Sequence, residues 1–160
     1  MVDYQLLVDR FKSDVLSFSS NNKKQGMTNE SFILLEKSLI KHFVMQDCFL
    51  FRVSHDVLKP NFKEYKFSFE LKFSEVQPYL NGQQVIEIPD VFSAYSYFQH
   101  YTHAVPLMVE EEILAILIFS YEDATPQVNL TQEIVKEISS VYRFILRSYE
   151  VQSNENKYRK

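Results

Sequence analysis

Glycine is nearly absent from this chain of 160 residues; Gly26 and Gly82 are the only two. Phosphate cradles such as the P-loop or the dinucleotide fingerprint need several glycines for tight turns and close backbone approach, so neither can be built here. Cysteine is as scarce. A lone Cys48 leaves no disulfide within the chain and suits a reducing compartment, so a cytoplasmic location is expected. Long apolar runs are missing too: the longest, Ile113 to Phe119, falls far short of the ~20 residues of a membrane span. The opening Met1-Val2-Asp3-Tyr4 shows no basic-then-apolar leader, and no membrane partner is expected. An excess of positive charge is lacking as well. The net charge is −4 with no basic stripe, which argues against a nucleic-acid partner.

Aromatic rings are plentiful, with 14 Phe and 10 Tyr but no Trp. A hydrophobic fraction of 46% against 24% charged residues describes a globular chain long enough to bury one core.

Apolar spacing of three and four at Tyr4, Leu7, Phe11, Val15 and Phe18 predicts a helix over 3–18. After a polar loop, Thr28 offers a cap for a second helix, 28–45, striped by Phe32, Leu35, Leu39 and Phe43. A strand follows from Phe49 to His55, with Phe49, Phe51 and Val53 on one face. Then Tyr65, Phe67, Phe69, Leu71 and Phe73 alternate with polar residues through Ser74, an amphipathic strand entered through a connection at Asn61-Phe62-Lys63. Glu75 to Gln84 reads as loop with one helical turn. Val85 to Ile88 is a short strand ended by Pro89, and Asp90 is placed to cap a short helix through Tyr101.

The last third is the most ordered. Ala104 to Val109 predicts a strand, Glu110 to Glu112 a turn, and the run to Tyr121 a second strand that is apolar at odd and even positions alike. Such a strand needs cover on both faces. Asn129 and Gln132 have the spacing of a capping pair for a helix over 129–150, striped by Ile134, Ile138, Val141, Ile145 and Tyr149. From Gln152 the sequence turns polar. The order is α-α-β-β-β-α-β-β-α, an α+β fold with a mostly antiparallel sheet.

That order, with Val85-Ile86-Glu87-Ile88-Pro89-Asp90-Val91, Ala104-Val105-Pro106-Leu107 and Ile113-Leu114-Ala115-Ile116-Leu117, resembles a GAF domain. The resemblance runs from Val2 to about Tyr149 and rests on the order and spacing of motifs that are individually common. It implies a PAS-related antiparallel sheet of five or six strands, with the N- and C-terminal helices on one face and a helical crossover, 75–103, on the other. It also implies a sensory domain over 1–150, with 151–160 beginning a linker to an effector. Such modules are usually dimeric and precede diguanylate cyclases, histidine kinases or phosphodiesterases; a diguanylate cyclase is favoured over a histidine kinase. Where many members have glycine in the last strand this chain has Ala115, and the turn before it has only glutamates.

A ligand pocket, if present, belongs under the crossover, where Tyr95, Phe98, His100, Tyr101 and His103 gather aromatic and proton-carrying groups. The competing expectation is that these rings fill the space as core and leave a ligand-free dimerisation scaffold. His100 and His103, three apart, lack a third ligand nearby, so no metal is expected, and the identity of any cofactor stays open. A free-standing reductase of the methionine-sulfoxide type has the same fold but uses several cysteines; Cys48 is expected to be a small buried hydrophobe. The cyclic-nucleotide signature is missing at Phe119 to Ala124. Glu110 to Glu112, Glu122 and Asp123 are expected to be exposed turn charges rather than catalytic acids, so no catalytic residue is assigned. The terminal helices carry apolar stripes wider than one sheet face needs. Leu7, Phe11, Val15, Val141, Ile145, Leu146 and Tyr149 are therefore the expected homodimer contacts, in a parallel four-helix bundle.

Overall fold

A computed structural model of the chain describes residues 3–21, 28–60, 71–122 and 128–158, without the side chains of 18–21, 28–29 and 149–158. Helices α1 (Tyr4–Asn21) and α2 (Thr28–His42) come first, followed by strands β1 (Met45–Ser54) and β2 (Val57–Pro60). The short helix α3 (Phe73–Val76) leads through a 3-10 turn to β3 (Ile86–Glu87). Two further 3-10 turns, Asp90–Ala94 and Ser96–Phe98, precede β4 (His103–Val109), β5 (Glu112–Tyr121) and α4 (Gln132–Tyr158). The strands form one sheet in the order β2-β1-β5-β4-β3, and every pairing is antiparallel.

β5 lies at the centre of the sheet, between β1 and β4, which is why it is apolar at every register. Ala115, Leu117 and Phe119 enter one core with α1, α2 and α4. Ile116 and Ile118 enter a second core with Phe49, Phe51, Phe92 and Phe98. Both faces of the strand are covered, helices on one side and the crossover on the other. Pro106 in β4 is tolerated because β3 pairs only with His103 and Ala104; the proline lies beyond β3's reach, where its missing N–H breaks no ladder with that strand.

The α2 stripe of Phe32, Leu35, Leu39 and Phe43 is fully buried. The α1 stripe keeps Phe11 and Val15 from the spacing read in the sequence and adds Val8. Val8, Phe11 and Val15 are buried, Leu7 is partly so, and Tyr4 is exposed. Asp3 starts this helix, its carboxylate accepting the Leu6 N–H at 3.1 Å. A Lys12–Glu137 ion pair joins α1 to α4.

Several boundaries differ from the sequence reading, each for a local reason. β1 begins at Met45 rather than Phe49, and its hairpin turns at His55 and Asp56, with His55 at φ +58°. The alternating residues 61–70 lie outside the described residues; their continuation, Leu71 and Lys72, runs antiparallel to Val57 and Leu58 through one bridge and one Leu58 N–H to Leu71 carbonyl bond. Phe73 and Ser74 have already left the strand. Ser74 donates its N–H and hydroxyl to Asp56 at 2.8 and 3.0 Å, which turns the chain into α3.

The segment after Pro89 is a pair of 3-10 turns and not a helix, and Asp90 makes no capping bond. At α4 the cap is Thr131, whose hydroxyl accepts the Ile134 N–H at 3.3 Å, in place of Asn129. The helix then continues to Tyr158, so most of the stretch read as a linker is helical. The β4–β5 hairpin closes through Glu110 and Glu111 alone, at φ +53° and +68°. Both central residues therefore hold the left-handed conformation of a type I′ turn, which normally selects Asn or Gly.

Candidate functional site

The crossover face is built on the side chains that β1 and β5 turn away from the helices. Phe49 and Phe51 stand two apart on β1, so both rings project to the same side, with centroids 4.7 Å apart. Ile116, Ile118 and Ala104 continue this floor on β5 and β4. Phe92 and Phe98 descend onto it from the two 3-10 turns. A turn of three residues per repeat suits this task, because it brings successive aromatic side chains down over a short length of chain.

Phe98 is the hub. Its ring lies 5.2 Å from Phe49, 5.3 Å from Phe51 and 5.2 Å from Tyr97, in near-perpendicular arrangements. Tyr95 and Tyr101 stand slightly farther away, at 6.1 and 6.3 Å. Edge-to-face pairs at these distances contribute about 0.5–1.5 kcal/mol each beyond the area they bury.

A polar pin fastens the rim. Asp47 Oδ2 accepts the Tyr101 hydroxyl and His100 Nε2–H, each at 3.1 Å. Its Oδ1 accepts the Cys48 N–H at 2.8 Å. The carbonyl of His100 accepts the buried Ser120 hydroxyl at 2.7 Å. Burial first, and then the Asp47 charge, push the Tyr101 phenol far above its usual range, so it stays a donor.

On the opposite face Glu36 of α2 accepts the Leu50 N–H at 3.1 Å. Burial, reinforced by the Asp47 charge and opposed by the Leu50 bond, pushes its carboxyl up to about 8. Cys48 is 4% exposed, and burial, with the Glu36 and Asp47 charges, raises its thiol well above the ordinary value. That is the reverse of the activation a nucleophilic cysteine needs.

The residues proposed to line a pocket are thus divided. Phe98 and Tyr101 are buried in the aromatic core and Tyr95 packs half-buried against it. His100 is half exposed at the rim. His103 is on the other face of the sheet, stacked on Phe119 at 5.5 Å, with its imidazole shifted down by burial. The register explains this: Ala104 points to the crossover core, so its neighbour His103 points to the helices. Among the described residues no three metal-ligating side chains meet.

The two described cavities are on the helical side. One, of about 840 Å³, lies between Tyr4–Val8 and Thr131–Glu137. The other, of about 520 Å³, is bordered by Arg10, Asp14, Lys41 and His42. None of the five pocket candidates lines either of them.

The expected dimer contacts fare differently again. Phe11, Val15, Val141, Ile145 and Leu146 are buried in the chain's own helical core, Leu7 packs against it, and the Tyr149 side chain lies outside the described residues. Their stripe meets the sheet and two other helices at once. Lysine at Ile145 or Leu146 would disrupt the core rather than release a folded monomer. Among the described side chains of α1 and α4, the exposed large apolar ones are Leu6 and Phe144, each 44% exposed, and Tyr4 at 38%. Asp47 and Glu36, which organise both faces, were not singled out in the sequence. The one signal available was an acid directly before the apolar run of β1.

Comparison of the three-dimensional structure places this arrangement among known folds. A GAF domain from the Acinetobacter phosphoenolpyruvate-protein phosphotransferase superposes with a TM-score of 0.54 at 14% identity, over 94% of this chain and 98% of that one. The fold is GAF-like. A crystallised segment of a methyl-accepting chemotaxis protein superposes with a TM-score of 0.52, also at 14% identity, over 88% of this chain and 98% of the other. Neither a protein-family model nor a curated protein matches the sequence. Among the described residues no helix is long and apolar enough to cross a membrane.

Proposed function

We propose that this chain is a cytoplasmic GAF-type regulatory module that pairs with a second copy of itself and controls a downstream signalling effector, a diguanylate cyclase in preference to a histidine kinase. The observation that carries this reading is α4. The helix runs on from Leu146, its last described core residue, to Tyr158, about 18 Å at the α-helical rise. A helical extension of that length is marginal in water without a partner, and a twofold mate supplies one. Phe144, left exposed on the same helix, extends the apolar surface such a mate would cover. A parallel pair would also deliver two effectors side by side. The solved relatives come from a chemotaxis protein and a phosphotransferase, which fits a place in signalling.

The crossover face supports the form of this module that works without a ligand, since Phe49, Phe51, Phe92 and Phe98 occupy the space a small molecule would take. A ligand-sensing form keeps Tyr95, Phe98, His100 and Tyr101 as its lining and requires those rings to move apart.

Sedimentation of the chain at roughly 50 µM, a useful threshold for a physiological interface, should show a dimer, and Phe144→Lys should give a folded monomer. A monomeric unmodified chain removes the pairing. A metabolite panel should leave the melting temperature within about 1 °C; a compound raising it by several degrees decides for the sensing form.

A further inference from the structure

We propose that Asp47 and Glu36 form a coupling device through which the seating of the crossover on one face of the sheet and the docking of α2 on the other depend on each other. A continuous run of hydrogen bonds crosses the sheet at one short stretch of β1, from Asp47 to Leu50. On the crossover side, His100 and Tyr101 donate to Asp47 Oδ2 at 3.1 Å each. In the strand, Asp47 Oδ1 takes the Cys48 N–H at 2.8 Å. On the helix side, the Cys48 thiol donates to the Glu36 carbonyl at 3.5 Å, and the Leu50 N–H donates to Glu36 Oε1 at 3.1 Å. Side chains alternate across a strand, so Asp47 serves the crossover face and Cys48 the helix face, while Leu50 takes part through its backbone N–H.

Electrostatics links the two ends. Among the described residues, the titratable groups acting on or with Glu36 are Asp47 and Cys48 from β1 and Tyr97 from the crossover; Tyr101 acts through Asp47. His100 and Tyr101 hydrogen bonds disperse the Asp47 charge. When those two donors are withdrawn from the seated crossover, less of that charge is neutralised locally, and Glu36 holds its proton more firmly. A protonated carboxyl is a weaker acceptor than an anion, so the Glu36–Leu50 bond between α2 and β1 loosens. Linkage makes the effect reciprocal: deprotonating Glu36 favours the seated crossover. As a signalling route this rests on the regulatory reading above; as a coupling it exists in the chain alone.

The test uses the full chain without ligand. Carbon-13 NMR follows the Glu36 carboxyl through a pH titration, and hydrogen exchange follows the Leu50 amide. In Asp47→Asn the Glu36 midpoint should fall by ~0.5 unit or more, because a neighbouring charge is gone. In His100→Gln/Tyr101→Phe it should rise by a few tenths, and Leu50 should exchange several-fold faster although both substitutions lie on the opposite face. Adding Glu36→Gln should abolish that acceleration. His100 is half exposed, so His100→Gln with Asp47→Asn suffices if the double variant does not fold. A Glu36 midpoint unmoved by Asp47→Asn, or Leu50 exchange unmoved by the crossover substitutions, overturns the coupling. Intact coupling in a chain that regulates no effector would overturn the regulatory reading and leave the coupling standing.

Discussion

The two faces of the central sheet share β5 as their floor and are covered in unlike ways. On the helical face, aliphatic stripes from α1, α2 and α4 interlock, and the polar groups of the backbone are satisfied inside the helices. On the crossover face, Phe92 and Phe98 from two short 3-10 turns close over Phe49 and Phe51 of β1, and polar pins must hold the segment down. The helical core is a repeated solution, in which each turn adds similar contacts. The aromatic core hangs on one hub. Loss of one side chain should therefore be absorbed locally in the first and spread through the second.

Phe98→Ala breaks the comparison most severely. Truncating a fully buried Phe costs about 3–5 kcal/mol, against about 2–5 for Leu39→Ala in the helical core. Chemical denaturation should show both losses. Only Phe98→Ala should also dim the chemical-shift dispersion of Phe49, Phe51, Phe92 and Tyr101 together, and open an apolar void able to take a small aromatic probe. Equal and local responses would show that the two cores are built alike after all.

A smaller effect comes from Glu36, at the seam between the two. Its carboxyl is raised from the usual range to about 8 by burial. The native state then binds more protons than the unfolded one between these values, so stability should fall as pH rises from about 4.5 towards 8 and flatten above. Glu36→Gln keeps the acceptor for Leu50 and removes the charge. It should flatten that slope and add roughly 1–3 kcal/mol above pH 8, after allowance for partial solvent access. Urea melts of both chains across this range measure it.

The smallest effect lies at the β4–β5 turn, far from either core. Glu110 and Glu111 occupy left-handed backbone at φ +53° and +68°, which side chains adopt at a cost. Replacing the pair with Asn-Gly should stabilise the chain by about 0.5–1 kcal/mol, read as a rise in melting temperature with no change in the aromatic resonances. A loss instead would assign the glutamates a role, with the Glu110–Arg143 approach at 4.0 Å the first suspect.

Legibility followed the same division. The α2 stripe and the doubly apolar β5 could be read directly, since helical and extended periods impose their own repeat on the sequence. In α1 the reading holds at Phe11 and Val15 and misses at Tyr4, which sits in the pattern but at the open end of the helix. The segment 90–101 was read as a helix because Val91, Tyr95 and Phe98 fit its spacing, yet 3-10 turns place rings at similar intervals. Five of the expected dimer contacts, Phe11, Val15, Val141, Ile145 and Leu146, are buried within the chain's own core, because a wide stripe says that a helix is covered broadly, not by which molecule.

By itself the sequence determined the α+β class, a strand covered on both faces and the exclusion of glycine-built phosphate sites, because these depend on composition and local period; the helices on one face of the sheet came from the resemblance to GAF domains. Only the tertiary structure decided that the aromatic residues close over one another, that His103 faces away from Tyr101, and that Asp47 of β1 holds the crossover while Glu36 of α2 reaches the same strand at Leu50. Those outcomes depend on strand register and on which groups the chain brings together from 12 to 54 residues apart. No local pattern encodes a distance of that kind.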